Sequence, residues 1–254
     1  MQKIALCFLT YGNLSQPKLW SRIINENKDK LNVYIHNKNN FIDTEYNLER
    51  FCIKNKEEKT AWGHISLVRA TLRLFEEAYK NEENVAFILL SDKCIPLYDF
   101  DFIYNKIFSM NTNMLQNAKV KWSVKKRYAL IHDKDLFSIK DMAIQSQWCI
   151  FYRDTIGFFI ENDYTSKFGE GSYCPDEHYF IMIMKKFDIN YTFTDITYFN
   201  REEKSDNPKI KRYPKTYDIL TNDETMKIIN TTGCLFMRKI SDKCILPSYF
   251  ACIK

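Results

Sequence analysis

Apolar positions along the chain follow two rhythms. Short runs rich in β-branched and aromatic residues recur at KIALCFLTY, NVYIHN, VAFILLS, QWCIFY and YTFTDITYF, and these read as largely buried strands. In GHISLVRATLRLFEEAYK, by contrast, Ile65, Val68, Leu72, Phe75 and Tyr79 recur at spacings of three and four, which is the single apolar stripe of an amphipathic helix. LSQPKLWSRIINENKDK, after the first strand, and YDFDFIYNKIFSM, after FILLSDKCIP, read as further helices. The resulting order β, α, β, α, β predicts an α/β fold with a mostly parallel sheet flanked by helices. Ligands of such sheets bind beyond the carboxyl ends of the strands. That rule points to TYGN, HNKNN and SDKC, the segments that follow the first three strands. No repeat, low-complexity stretch or Gly/Ser linker divides the chain, so residues 1–254 are read as a single domain.

Composition adds exclusions. With 254 residues, 45% apolar and 15% aromatic, the chain can bury a substantial core. Its eight cysteines include no C-x-x-C pair and several lie inside apolar runs, so buried free thiols are expected rather than a disulfide framework or a zinc site. None of the four histidines stands at i, i+4 spacing from another, and no metal motif arises from them. The opening MQKIALCFLTYG has too short an apolar run for a signal peptide or a membrane span, and a cytoplasmic protein without a membrane anchor is expected. Neither G-x-G-x-x-G nor a Walker-type glycine-lysine motif occurs, which argues against a Rossmann dehydrogenase or a P-loop enzyme. The net charge of +5, from 37 basic and 32 acidic residues, is mixed rather than strongly basic. Basic residues thicken in NPKIKRYPKTY and FMRKISDK, as a solvated face or as a site for phosphate. No nucleic-acid-reading motif accompanies them, and nucleic acid is not expected as a partner.

Two kinds of acidic motif bear on chemistry. Asp-x-Asp occurs as Asp99-Phe100-Asp101 and as Asp133-Lys134-Asp135, and such a pair can hold a divalent cation against a diphosphate because hard cations prefer carboxylate oxygen. Asp99, however, is placed as a helix N-cap, and aspartates are ordinary at caps and turns. In YCPDEHYF, Pro175 suits a first helical position, with Phe180, Ile183, Met184 and Phe187 forming a stripe behind it. Asp176 and Glu177 would then lie in the first turn, either completing a capping box and complementing the helix dipole or supplying a carboxylate that stays ionised and takes a proton from a hydroxyl nucleophile.

AWGHISLVRATLRLFEEAY, FILLSDKCIPLYDF, QSQWCIFYR and YCPDEHYF, in this order, resemble the core-2/I-branching glycosyltransferases, glycosyltransferase family 14, particularly its plant and microbial members, from LCFLTYGN to GCLFMRKI. The resemblance implies a GT-A type fold, with residues 1–110 as a nucleotide-binding half and 111–254 as an acceptor and catalytic half. It also implies an inverting, metal-independent transfer of a sugar from a UDP-sugar to a glycan hydroxyl, with no cofactor beyond that donor substrate. The glutamate of the Pro-Asp-Glu motif, the general base of the family, maps onto Glu177, and Asp176 would support the helix start or touch substrate. The lysine of the family's F-x-x-K element matches Lys239, with Arg238 beside it. Lys215 corresponds to a second basic position, with Arg212 close enough to compete for that role. These cations would bind the donor diphosphate, whose leaving oxygen develops negative charge.

Softer correspondences place Thr10, Tyr11, His36 and Trp62 at the nucleotide, and Ser91, Asp92, Gln147 and Trp148 at the donor sugar or acceptor. An indole offers an apolar face to a sugar ring, although Trp62 and Trp148 also suit packing and His36 a structural role. The family's second strand ends in a histidine soon followed by an aspartate, whereas this chain reads HNKNN. That departure leaves the nucleotide open, and the sugar (GlcNAc, xylose or glucuronic acid type) more so. Two other readings compete, a metal-dependent GT-A transferase using an Asp-x-Asp pair and a non-catalytic glycan-binding module. Oligomeric state is not legible in the sequence.

Overall fold

The computed structural model describes residues 1–54, 58–118, 124–200 and 214–254. In chain order the elements are β1 (Lys3–Thr10), α1 (Pro17–Glu26), β2 (Leu31–Asn37), α2 (Ser66–Tyr79), β3 (Asn84–Ser91), β4 (Ile95–Pro96), α3 (Phe100–Met110), β5 (Asn113–Asn117), α4 (Val124–Ala129), β6 (Gln145–Tyr152) and α5 (Arg153–Glu161). They continue as α6 (Thr165–Phe168), a 3-10 turn (Pro175–Glu177), α7 (Tyr179–Lys186), β7 (Tyr191–Phe193), β8 (Thr197–Phe199), β9 (Tyr217–Ile219), α8 (Asn222–Thr232), β10 (Phe236–Arg238), β11 (Ile240–Ile245) and α9 (Tyr249–Cys252).

A six-stranded sheet in the order β2-β1-β3-β6-β5-β7 forms the centre. β1 is parallel to β2 and β3, and β5 to β7, while β6 is antiparallel to both of its neighbours. The sheet is therefore mostly parallel with one reversed strand, the mixed α/β arrangement of a GT-A type fold. A smaller sheet, β4-β10-β8, and the pair β11-β9 carry the carboxyl-terminal part.

The period of two along the central strands explains why these runs are apolar throughout. In β1, Ile4, Leu6 and Phe8 enter one core while Ala5 and Cys7 enter the other. In β3, Ala86, Ile88 and Leu90 divide in the same way from Phe87 and Leu89. A strand buried on both faces has no polar alternation to display. The first core is closed by α1 and α3, where Trp20 meets Phe8 edge-on at 4.9 Å and donates its indole N–H to the Cys94 carbonyl at 3.1 Å. The second is closed by α2, α5 and α7, and Phe75 on α2 touches Phe87, Phe151 and Phe180 with ring centroids 6.3, 6.0 and 6.1 Å away. Phe180 sits three residues beyond Glu177, so this aromatic cluster also anchors the turn that carries the acids.

Several sequence expectations change. YTFTDITYF is not one strand but two, β7 on the main sheet and β8 on the smaller one. β5 was not foreseen because only Met114 and Leu115 in its NMLQN are apolar. Pro175–Glu177 is a separate 3-10 turn, and α7 begins only at Tyr179 with His178 as its N-cap. The acids therefore lie ahead of the helix rather than in its first turn, and α7 shows no one-sided stripe, since Tyr179 through Met184 are all buried. The eight cysteines are free, as expected, although Cys52 is half-buried and Cys252 exposed. Among the described residues no helix is long and apolar enough to cross a membrane.

Phe75→Ala removes the ring on which three other aromatics converge and is expected to destabilise the fold by about 3–5 kcal/mol, measured as a shift of the urea midpoint at unchanged slope.

Candidate functional site

The carboxyl ends of β1 and β3 bring Thr10, Tyr11, Ser91 and Asp92 to one edge of the main sheet. Because β6 runs the other way, its beginning, with Gln147 and Trp148, reaches that same edge. A hollow of about 270 Å³ forms there, walled also by Lys38, Thr60, Trp62 and Arg238. A second hollow of about 250 Å³ shares Trp62, Gln147, Trp148 and Arg238 with it and adds Ser146, Asp176, Glu177, Phe199, Pro214 and Lys239. The two are halves of one cleft, with the exposed rings of Tyr11 and Trp62 at its mouth.

Most residues singled out in the sequence converge here: Thr10, Tyr11, Trp62, Ser91, Asp92, Gln147, Trp148, Asp176, Glu177, Arg238 and Lys239 all line the cleft. His36 does not. It is buried inside β2 at 1% exposure, and just beyond that strand Lys38 reaches the wall, with its ammonium 5.8 Å from the Tyr11 ring. Lys215 is also not a lining residue; its ammonium lies 4.9 Å over the Tyr217 ring, while its carbonyl accepts from the Lys239 amide at 3.4 Å. Arg212 lies outside the described residues.

The acids are positioned by contacts from two distant parts of the chain. Cys174, in a left-handed conformation at φ 47°, donates its amide to the Gly63 carbonyl at 2.9 Å, and Trp62 packs edge-on to Tyr173 at 6.5 Å. The loop before α2 is thereby joined to the acidic turn. Arg127 on α4 then donates to Glu177 Oε2 at 2.6 Å and to the Cys174 carbonyl at 3.3 Å, with its guanidinium 5.6 Å from the Tyr173 ring centre. The Arg127 side chain is 6% exposed and that of Glu177 is 32% exposed. Arg127 escaped the sequence reading, because it stands in a short basic run, KKR, fifty residues before Glu177, and such a run looks like a solvated face.

Protonation differs sharply around this turn. Burial, and then the negative charge of Glu177, push the Asp176 carboxyl up to about 7, and Arg127 opposes the shift. Its Oδ1 is buried without a hydrogen-bond partner among the described residues. His178 is pushed down to about 3 by burial and then by the Arg127 charge, so its ring is neutral at physiological pH. Across the cleft Arg238 lies 4.4 Å over the Trp148 ring. Burial lowers the affinity of Arg238 for its proton, and that of Lys239 falls through burial and then the Arg238 charge. Asp92 is raised by burial, against the pull of Lys93 and Arg238. Two cations crowded in a half-buried cleft are destabilised alone and suit a multiply charged anion.

The Asp-x-Asp pairs serve elsewhere. Asp101 pairs with Lys30 at 2.6 Å and Asp99 accepts from the Lys254 amide at 2.8 Å. Asp133 accepts from the Leu136 amide at 2.8 Å and pairs with Lys167 at 3.0 Å. Neither pair lines the cleft, and among the described residues no three histidine, cysteine or acidic side chains group as metal ligands.

The family model described as Core-2/I-Branching enzyme matches residues 4–229. A rice protein (Oryza sativa subsp. japonica) named Glycosyltransferase BC10 is 23% identical over 167 residues, which is 63% of this chain and 41% of the rice protein. The match thus spans less than half the length of that relative.

Gly63 stands at φ +70°, and a Cβ there would lie 3.3 Å from Cys174 Sγ. Gly63→Ala is expected to cost at least about 1–2 kcal/mol from the left-handed backbone, read from chemical denaturation.

Proposed function

The chain belongs to the core-2/I-branching enzyme family, and on that premise we propose that it transfers a sugar from a UDP-sugar to a hydroxyl of a glycan acceptor, with inversion and without a metal. The observation that carries the reading is the meeting, in one cleft, of a carboxylate held by a buried arginine and two cations, Glu177 facing Arg238 and Lys239. In the proposed step the acceptor hydroxyl gives its proton to Glu177 as its oxygen bonds to the anomeric carbon. The bond from that carbon to the β-phosphate oxygen breaks, and UDP leaves with its electron pair. Arg238 and Lys239 take up the charge that develops on the diphosphate, the kind of stabilisation that is worth most where water is excluded. Lys215, joined to Lys239 through the backbone, adds positive potential behind it.

Thr10, Tyr11, Trp62 and Lys38 are assigned to the nucleoside, since exposed aromatic faces at the mouth of a strand-edge cleft suit a planar base. Ser91 and Asp92 are assigned to the donor sugar, and Gln147 and Trp148 to the sugars that meet Glu177. The metal-free reading is supported by the positions of the Asp-x-Asp pairs, which lie away from the cleft, with the carboxylates of Asp99, Asp101 and Asp133 engaged there. The donor sugar, among GlcNAc, xylose and glucuronic acid types, is left to experiment.

Glu177→Gln keeps the shape of the turn but cannot accept the proton, and is expected to lower kcat by about 10²–10⁴-fold while the rise in Tm caused by UDP persists. Normal turnover by Glu177→Gln in a screen of UDP-sugars would remove Glu177 from the role. Activity is also expected to survive excess EDTA, whereas loss in chelator followed by recovery in manganese would favour the metal-dependent alternative.

A further inference from the structure

Asp176 and Glu177 are neighbours in one 3-10 turn and line the same cleft, yet their surroundings are unlike. The Arg127 guanidinium contacts Glu177 Oε2 at 2.6 Å, whereas Asp176 keeps a buried Oδ1 that no donor among the described residues reaches. Burial and the neighbouring Glu177 charge raise the cost of ionising Asp176 there, and the hydrogen-bond donor that offsets this is its own amide. A carboxylic acid would instead have one O–H to donate, and the cleft is where a partner would come from.

We propose that Arg127 divides this pair into unlike members, holding Glu177 as the ionised proton acceptor and leaving Asp176 as a protonated acid that donates a hydrogen bond to the bound sugar. The assignment of Glu177 rests on the transfer reading above; the protonation of Asp176 does not. The groups facing Asp176 agree with it. Glu177 alongside repels a second negative charge, and Arg127, the cation that offsets this, is committed to Glu177. His178, next in sequence, is neutral and adds no positive charge, and the Cys174 thiol on the other side is pushed up to about 11. Arg238 and Lys239 share the cleft but are assigned to the diphosphate. Two neighbouring carboxyls driven apart in this way are the usual arrangement for separating proton-accepting from hydrogen-bond-donating roles. Asp176 keeps its proton throughout, so the overall balance of the transfer is unchanged.

Asn at position 176 can still donate a hydrogen bond and cannot titrate. Asp176→Asn is therefore expected to turn over at least about tenfold faster than Asp176→Ala, the loss of one hydrogen-bond donor being the difference, and its rate should no longer fall as pH rises through about 7. Arg127→Gln is expected to lower kcat more than it raises KM, with Arg127→Lys restoring much of the lost kcat. A second readout needs no catalysis. A carboxyl raised from 3.8 to about 7 in the folded state holds its proton while the unfolded chain loses one. Wild type should thus lose stability relative to Asp176→Asn as pH rises from about 4 to about 7. Parallel stability curves, or Asp176→Asn as slow as Asp176→Ala, would overturn the proposal. Diverging curves in a chain that transfers no sugar would remove the transfer reading and leave the protonated Asp176 established.

Discussion

The Arg127–Glu177 contact keeps two opposed sets of charge in one cleft from cancelling each other. At 2.6 Å, from a guanidinium almost wholly withdrawn from solvent, it satisfies the acid from behind and leaves Arg238 and Lys239 uncommitted. Among the described residues neither of those cations forms an ion pair with a carboxylate, although both feel Asp92. Had Glu177 paired with Lys239, acid and cation would have neutralised one another, and a ligand would have had to break the pair. Holding the acid from an unrelated helix avoids that competition.

The rest of the fold supports this separation. Tyr179 through Met184 of α7 are all buried behind the turn, and Phe180 is locked to Phe75 and Phe151, so the acids sit at the end of a rigid element. The Cys174–Gly63 backbone hydrogen bond and the Trp62–Tyr173 contact tie that end to the loop before α2. On the opposite wall, β10 pairs with β4 and β8 and sets Arg238 over Trp148 of the reversed strand β6. Sites built on strands and packed helices hold their geometry better than sites on free loops, and both walls here follow that pattern.

Much of this was legible in advance. The apolar runs of β1, β2, β3 and β6 and the stripe of α2 appear in the sequence because burial on a sheet or on one helix face leaves its period behind. The strand-edge rule, joined to the family resemblance, singled out Tyr11, Asp92, Trp148, Glu177 and Lys239, and all of them line the cleft. Three things were not legible. β5 and the paired β9 and β11 carry too few apolar residues to announce themselves. The reversal of β6 has no local signature, since either direction buries the same side chains. Arg127 was hidden in a basic run.

What the sequence determined by itself, then, is which segments must be buried and which residue types are available for chemistry, because both are properties of local composition and spacing. Which carboxyl pairs with which cation was decided by the tertiary structure alone. Glu177 and Asp176 share a turn and are nearly the same chemically, but it is Glu177 that Arg127 hydrogen-bonds. His36 and Lys38 differ in the same way, one turned into the core and the other into the cleft wall. Electrostatic interaction depends on distance and on the water excluded between groups, and neither quantity is written in the order of residues along the chain.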